Sequence, residues 1–280
     1  VTRSLSSVAS RQAEAAKKAS TGMRVSAPSD DPAAAAELTR LNAAKARTEQ
    51  FQKSVSSARG DAELAEGVLG EAGDVFARVN EIAIQGANGS LSADDRKSLA
   101  DEVSSLKEHL VGLANTKSAN GYLFGGSATT TAPFDIDGNF VGNDDAHNVE
   151  VSPGVTVRSN PSGANAFTVA GGTDVFGSLT TLETALRGND SAGVSASLTN
   201  VEASRVQITN SRSSSGLLMN RLDTTDSALS QASLALSSRS AAVGEVDAFT
   251  AYSDLTKLTQ SLDTAISVAR TTLSVGQNRF

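Results

Sequence analysis

The chain has 280 residues, 39% hydrophobic and 4% aromatic, with no Trp, so its core is aliphatic and suits helix–helix seams better than a thick sandwich. Twenty-four basic against 31 acidic residues leave a net charge of −7, which argues against a compact basic footprint for nucleic acid. Zero Cys excludes a disulfide framework, thiolate metal sites and a Cys nucleophile, and His109 and His147 alone cannot build a histidine-rich metal centre.

The first element is an amphipathic helix within residues 1–22, read from the stripe Leu5, Val8, Gln12, Ala16 and Ala19. No apolar run of signal-peptide length follows Val1, and no stretch approaches the ~20 apolar residues of a membrane span. The sequence opens without Met, from which a trimmed amino terminus is expected. Ser20 to Pro32 reads STGMRVSAPSDDP, a turn-rich break. Pro28 disfavours helix at Ala27, Ser29, Asp30 and Asp31 are N-cap types, and Pro32 suits a first helical turn.

From Pro32 a heptad seam runs Leu41, Thr48, Val55, Ala62, Leu69, Phe76, Ala83, with a companion at Ala44, Phe51, Ala58, Ala65, Ala72, Val79, Gly86. Spacing that alternates 3 and 4 for this long predicts a coiled-coil-like helix of roughly 80 Å, and hence an elongated molecule. Gly60, Gly67, Gly70 and Gly73 interrupt it, each costing about 1 kcal/mol relative to Ala. Close backbone packing, marginal stability until partners arrive, or simple drift would each account for them. Gly86-Ala87-Asn88-Gly89 ends the helix, and Ser92 with Asp95 forms a capping box. The next stripe is Leu99, Val103, Leu106, Leu110 and Leu113, so the short link predicts an antiparallel helical hairpin.

Helical periodicity lapses between Thr129 and Phe176. Asp137-Gly138 reads as a hairpin turn, and Val149–Val151 and Val155–Val157 alternate around Ser152-Pro153-Gly154. Four to six short strands are expected here. Helix resumes near Gly177 with Leu179, Leu182 and Leu186, breaks at Gly188-Asn189-Asp190, and continues as Val201, Ile208, Ser215, Leu222, Leu229, Leu236, Val243. The last stripe is Leu255, Leu258, Leu262, Ala265, Ala269, Leu273. The expected fold is mainly α with a β insertion: an elongated long-helix antiparallel bundle carrying a small β-rich domain. Its parts are an amino-terminal helical segment over 1–22, a bundle core over 23–128 and 177–247, the insertion over 129–176, and a carboxy-terminal helical segment over 248–280. The narrow seams at the two ends, carried by Leu5, Val8, Leu255, Leu258, Leu262 and Leu273, are expected to pair with each other or with neighbouring subunits.

Searches for chemistry come back almost empty. Asp135-Ile136-Asp137-Gly138-Asn139 glances toward a calcium loop, but Gly138 stands fourth and Ala146 twelfth, where an EF-hand needs Gly sixth and Glu twelfth. Asn143–His147 offers carboxylates and an imidazole, though a polar loop explains it more simply. No phosphate-binding glycine motif follows an apolar strand and no G-x-S-x-G elbow is present. No enzyme, cofactor or metal site is expected.

Ser20-Thr21-Gly22-Met23-Arg24-Val25 followed by Pro28-Ser29-Asp30-Asp31-Pro32 resembles the amino-terminal signature of the flagellin superfamily. Pro32 itself, Leu113-Ala114-Asn115-Thr116, Gly121–Gly126 and Thr131-Ala132-Pro133-Phe134 are similar to its hook–filament junction branch. Ala87-Asn88-Gly89 with Leu91, Ser92, Asp95-Arg96 and Leu99-Ala100 looks like a further family block. The segment before Ser20 is shorter than is usual there, and the end, Val275–Phe280, lacks the Leu-rich finish of many relatives.

The resemblance implies an extracellular structural subunit of the bacterial flagellum, exported through the flagellar type III route without a cleaved signal peptide. It implies homo-oligomeric assembly and three further partners: the first hook-associated protein, flagellin and a flagellar export chaperone. Two other readings stay open. One is flagellin itself, the filament subunit; the other is a surface adhesive or carbohydrate-binding module using Tyr122, Phe134 and Phe140.

Overall fold

The computed structural model describes residues 2–277, with side chains over 5–271. Its helices are α1 (Thr2–Thr21), α2 (Pro32–Gly86), α3 (Ala93–Ala114), α4 (Gly163–Phe167), α5 (Val175–Arg187), α6 (Ser191–Gly244) and α7 (Ala248–Gln277). Between α3 and α4 lie β1 (Lys117–Ser118), β2 (Gly121–Tyr122), β3 (Asn148–Ser152) and β4 (Val155–Arg158). A 3₁₀ turn, Val169–Gly171, precedes α5. Among the described residues no helix is long and apolar enough to cross a membrane. Two compact units emerge, one of Val1–Glu49 with Gln231–Phe280, the other of Gln50–Ser230. Each is taken by itself.

In the Gln50–Ser230 unit the predicted seams of α2 face inward. Val55, Ala62, Leu69, Phe76 and Ala83 are buried, as are Phe51, Ala58, Ala65, Ala72 and Val79. Against them pack Leu99, Val103 and Leu110 of α3, Leu179, Leu182 and Leu186 of α5, and Val194, Val201 and Ile208 of α6. The α2–α3 pair is antiparallel, as the short link requires. Arg78 Nε donates to Glu102 at 2.7 Å and His109 Nε2 meets Glu71 at 3.0 Å. The capping box forms as read, with Asp95 N donating to Ser92 Oγ at 3.2 Å and Ser92 Oγ donating to Asp95 Oδ2 at 2.6 Å. Asp174 caps α5 through the Gly177 amide, and Asp190 caps α6 through the Gly193 amide, both at 2.9 Å.

The segment from Thr129 to Phe176 holds fewer strands than its alternation predicted. One antiparallel pair, β3–β4, has Val149 opposite Val157 and a bulge between Glu150 and Ser152. The Asp137-Gly138 turn is closed by a single bridge, Phe134 to Phe140. The reason lies in side chains. Phe134 packs edge-on against Phe167 and tilted against Phe140 and Phe176, with ring centroids 5.2–5.4 Å apart, so an aromatic knot in place of a ladder fixes this loop. Ser162 caps α4, its Oγ accepting the Asn165 amide at 3.0 Å. Gln207 of α6 ties the following loop down, donating to Thr168 O at 2.9 Å and accepting the Thr173 amide at 2.8 Å. The β3–β4 pair covers its own cluster, with Val151 and Val157 against Phe51, Val55, Ala58, Leu222 and Leu229.

The helix glycines also resolve. A Cβ at Gly60, Gly67 or Gly73 would meet nothing within 4 Å, and at Gly70 only the Arg212 guanidinium at 3.4 Å. Close packing against this chain's own backbone therefore does not explain them.

Candidate assembly surface

The unit of Val1–Glu49 with Gln231–Phe280 contains every residue singled out as a signature or terminal seam. Its centre is the turn joining α1 to α2. Thr21 Oγ1 donates to Lys17 O at 2.8 Å and accepts the Met23 amide at 3.2 Å. Gly22, with φ +68°, supplies the left-handed residue that ends a helix; its amide donates to Lys18 O at 2.9 Å. Ser20 Oγ caps Lys17 O at 3.1 Å. Asp30 then accepts the Ser26 and Ala27 amides, each at 2.9 Å. Asp31 caps α2 through the Ala34 amide at 3.0 Å, with Pro32 as the first helical residue. Pro28 and Ser29 are exposed in the intervening turn.

A second turn, between α6 and α7, locks onto the first. Arg24 N donates to Gly244 O at 2.7 Å and Val246 N to Gly22 O at 2.9 Å, around a Met23–Glu245 bridge. The Arg24 guanidinium spans both sides, donating to Val243 O at 2.7 Å and to Asp31 Oδ2 at 3.1 Å. Asp247 caps α7 through the Thr250 amide at 2.8 Å and the Thr250 hydroxyl at 2.9 Å. These donors leave their mark on the carboxyls. Backbone amides of Ser26 and Ala27 hold Asp30 below the ordinary carboxyl range. The Ala34 amide, then Arg24, does the same to Asp31, and Thr250 to Asp247. The signature residues thus turn the chain and cap the helices on either side of the turn.

From this double turn α1 and α7 run side by side. Ala15 and Ala251 are buried, and Gln12 Nε2 donates to Thr259 Oγ1 at 3.3 Å. Leu5, Val8, Leu255, Leu258 and Leu262 are all only half-buried, and the Leu273 side chain lies outside the described residues. Phe249 remains 84% exposed and Tyr252 59% exposed. A cleft of about 410 Å³ beside Ala15, Ala251 and Leu258 is rimmed by Arg11, Lys18, Asp254 and Lys257. Each terminal helix therefore supplies one partner to the other and keeps apolar surface uncovered.

The remaining candidates are committed elsewhere. Asp135 is consumed by its own turn, accepting the Asn139 amide at 2.8 Å and the Asp137 amide at 3.0 Å. Asp144 pairs with Arg158 at 2.8 Å and Asp145 accepts from Ser127 Oγ at 2.9 Å. Among the described residues no His, Cys, Asp or Glu group of metal-holding size occurs. Phe134 is buried in the core, Phe140 and Tyr122 are half-buried, and Lys117 Nζ sits 4.5 Å over the Tyr122 ring, so the three do not share one exposed platform. Arg96 stood in the sequence only as part of a family block, and its role was missed. Its guanidinium, 4% exposed, donates to Gly86 O at 2.9 Å, Asn88 O at 2.7 Å, Leu91 O at 3.0 Å and Asn189 Oδ1. The one available signal was a cation set just inside a capping box.

The arrangement of this unit is thus a pair of terminal helices entered through interlocked turns. Residues 1–129 match the family model of the bacterial flagellin N-terminal helical region. Within that class the similarity runs to hook-associated proteins. Flagellar hook-associated protein 3 of Escherichia coli K12 is 41% identical over 125 residues, 44% of this chain and 39% of that one. Its Salmonella typhimurium LT2 counterpart is 34% identical over 170 residues, 59% and 54% of the two chains. The chain thus spans about half or less of the length of these curated relatives. A solved candidate flagellar hook-associated protein from Vibrio parahaemolyticus superposes with a TM-score of 0.71 at 26% identity, covering 76% of this chain and 99% of that one.

Proposed function

We propose that this chain is a structural subunit of the bacterial flagellum that forms the junction between hook and filament, working through subunit–subunit packing. The observation that carries the reading is the unfinished seam of α1 and α7. Leu5, Val8, Leu255, Leu258 and Leu262 stay half-exposed after the two helices have paired, and burial of such apolar surface in a neighbour is the main favourable term in association. Residues 1–22 and 248–280 act as assembly segments, 23–128 with 177–247 as the helical body, and 129–176 as an insertion carried by it. The partners are further copies of the chain, the first hook-associated protein on one side, flagellin on the other, and an export chaperone before assembly. The place of action is extracellular, reached by flagellar export without cleavage of a signal peptide. No step of this work is catalytic.

Electron microscopy of cells lacking the chain tests the reading: hooks without filaments, with flagellin released into the medium, is the expected phenotype. Recovery of this chain as the dominant polymer of sheared flagella would assign it to the filament instead. At the level of the molecule, deletion of residues 1–19 together with 255–280 leaves a folded, soluble monomer that no longer assembles. Retained assembly, or global unfolding, would count against the terminal seam.

A further inference from the structure

Two asparagines in the chain precede glycine, Asn88 and Asn120, and the structure treats their carboxamides in opposite ways. We infer that Asn88 is a site of spontaneous backbone-assisted deamidation in the folded protein, and that Asn120 is protected. At Asn88 the carboxamide oxygen accepts two donors from one residue, Ser90 N at 3.1 Å and Ser90 Oγ at 2.9 Å. These are the donors that would stabilise negative charge building on that oxygen as its carbon is attacked. The leaving amide is unrestrained: Asn88 Nδ2 donates to none of the described residues. The attacking atom is also available, because the Gly89 amide has no acceptor among the described residues. Nothing lies within 4 Å of where a Gly89 Cβ would stand, so its approach is unobstructed.

The reaction balances as follows. The Gly89 amide loses its proton to solvent base, and its nitrogen forms a bond to Asn88 Cγ. The Cγ–Nδ2 bond breaks and ammonia departs with a proton from water, leaving a succinimide. Water then adds across either ring C–N bond, giving an Asp at position 88 or its β-linked isomer. Asn120 is arranged against each of these steps. Its Nδ2 is held by Asp61 Oδ2 at 2.9 Å and Ser57 Oγ at 3.2 Å. Gly121 is the paired start of β2, and the backbone of Thr129 crowds its Cα.

The site matters because the Asn88 main-chain carbonyl is one of the acceptors of the buried Arg96 guanidinium, at 2.7 Å. In the β-linked product that carbonyl becomes a free carboxylate and the chain runs on through Cβ and Cγ, one methylene longer, which re-forms the turn between α2 and α3 around the Arg96 guanidinium.

The test is peptide mapping by mass spectrometry of the full-length folded protein during prolonged incubation in warm, mildly alkaline buffer. An isoaspartate-specific methyltransferase reports the β-linked product. Asn88 is expected to convert several-fold faster than Asn120 in the native protein, the two becoming comparable in denaturant. Ser90→Ala is expected to slow Asn88 several-fold, and Gly89→Ala, which the open space accommodates, to suppress the reaction. Equal native rates at the two sites, slower conversion of Asn88 in the native than in the denatured chain, or an unchanged rate in Ser90→Ala would each overturn the inference. None of these outcomes bears on the flagellar reading.

Discussion

The Leu186 side chain lies directly over the α-carbon of Gly86, leaving no room for a Cβ there. Both residues are buried where the end of α2 meets the end of α5. Gly86→Ala is therefore expected to destabilise the protein by about 1–3 kcal/mol through overpacking. Gly67→Ala, where the added methyl meets nothing within 4 Å, is expected to stabilise by about 1 kcal/mol through helix propensity. Thermal denaturation of the two variants checks the opposite signs; a shared sign would contradict this account of the helix glycines.

Arg96 serves four oxygen acceptors and no carboxylate. Asn189, one of them, sits at φ +52°, a conformation that non-glycine residues seldom adopt. Arg96→Met is expected to cost about 2–4 kcal/mol, since buried carbonyls lose charged donors. Arg96→Lys is expected to recover little, because a point ammonium cannot reproduce the forked geometry. Chemical denaturation measures both, and full rescue by Lys would show that charge alone matters.

Asp30, Asp31 and Asp247 have carboxyls held below their ordinary 3.8 by hydrogen-bond donors. A depressed carboxyl contributes stability above its unfolded-state value and loses it as pH falls through the folded-state value. The double turn is thus expected to weaken below about pH 4 and to be unaffected near neutrality. Asp247→Asn and Asp30→Asn should flatten the loss in melting temperature between about pH 6 and about pH 3. A pH profile in either variant identical to the parent's would remove that carboxyl from the explanation.

Leu69 is 1% exposed within the α2 seam. Leu69→Asp is expected to destabilise by more than about 4 kcal/mol, since it deletes a core side chain and buries a charge. A melting curve unchanged from the parent would refute its placement.

The helices were largely legible because their signal is periodic. Leu41 through Ala83 in α2 and Val201 through Leu229 in α6 recur every seven residues, and each of these positions is buried. The softer end of the second seam, Leu236 and Val243, is only half-covered. Ala232, just ahead of them, is exposed. The insertion was less legible because its order comes from contacts far apart in sequence. Phe124 meets Phe167 at 5.2 Å, and no local pattern announces such a pair. The signature was visible as turn chemistry, but its partner at Gly244 was not. Arg24 N bonds a carbonyl, and backbone acceptors carry no sequence label.

The pairing of α1 with α7 has a consequence for timing. Helix α1, 20 residues long, packs along α7, 30 residues long, and Gln12 meets Thr259 across 247 positions of sequence. Contacts so remote in sequence close a very long loop, which makes them late events in folding. Each helix of the pair is therefore expected to form locally first and to find its partner afterwards.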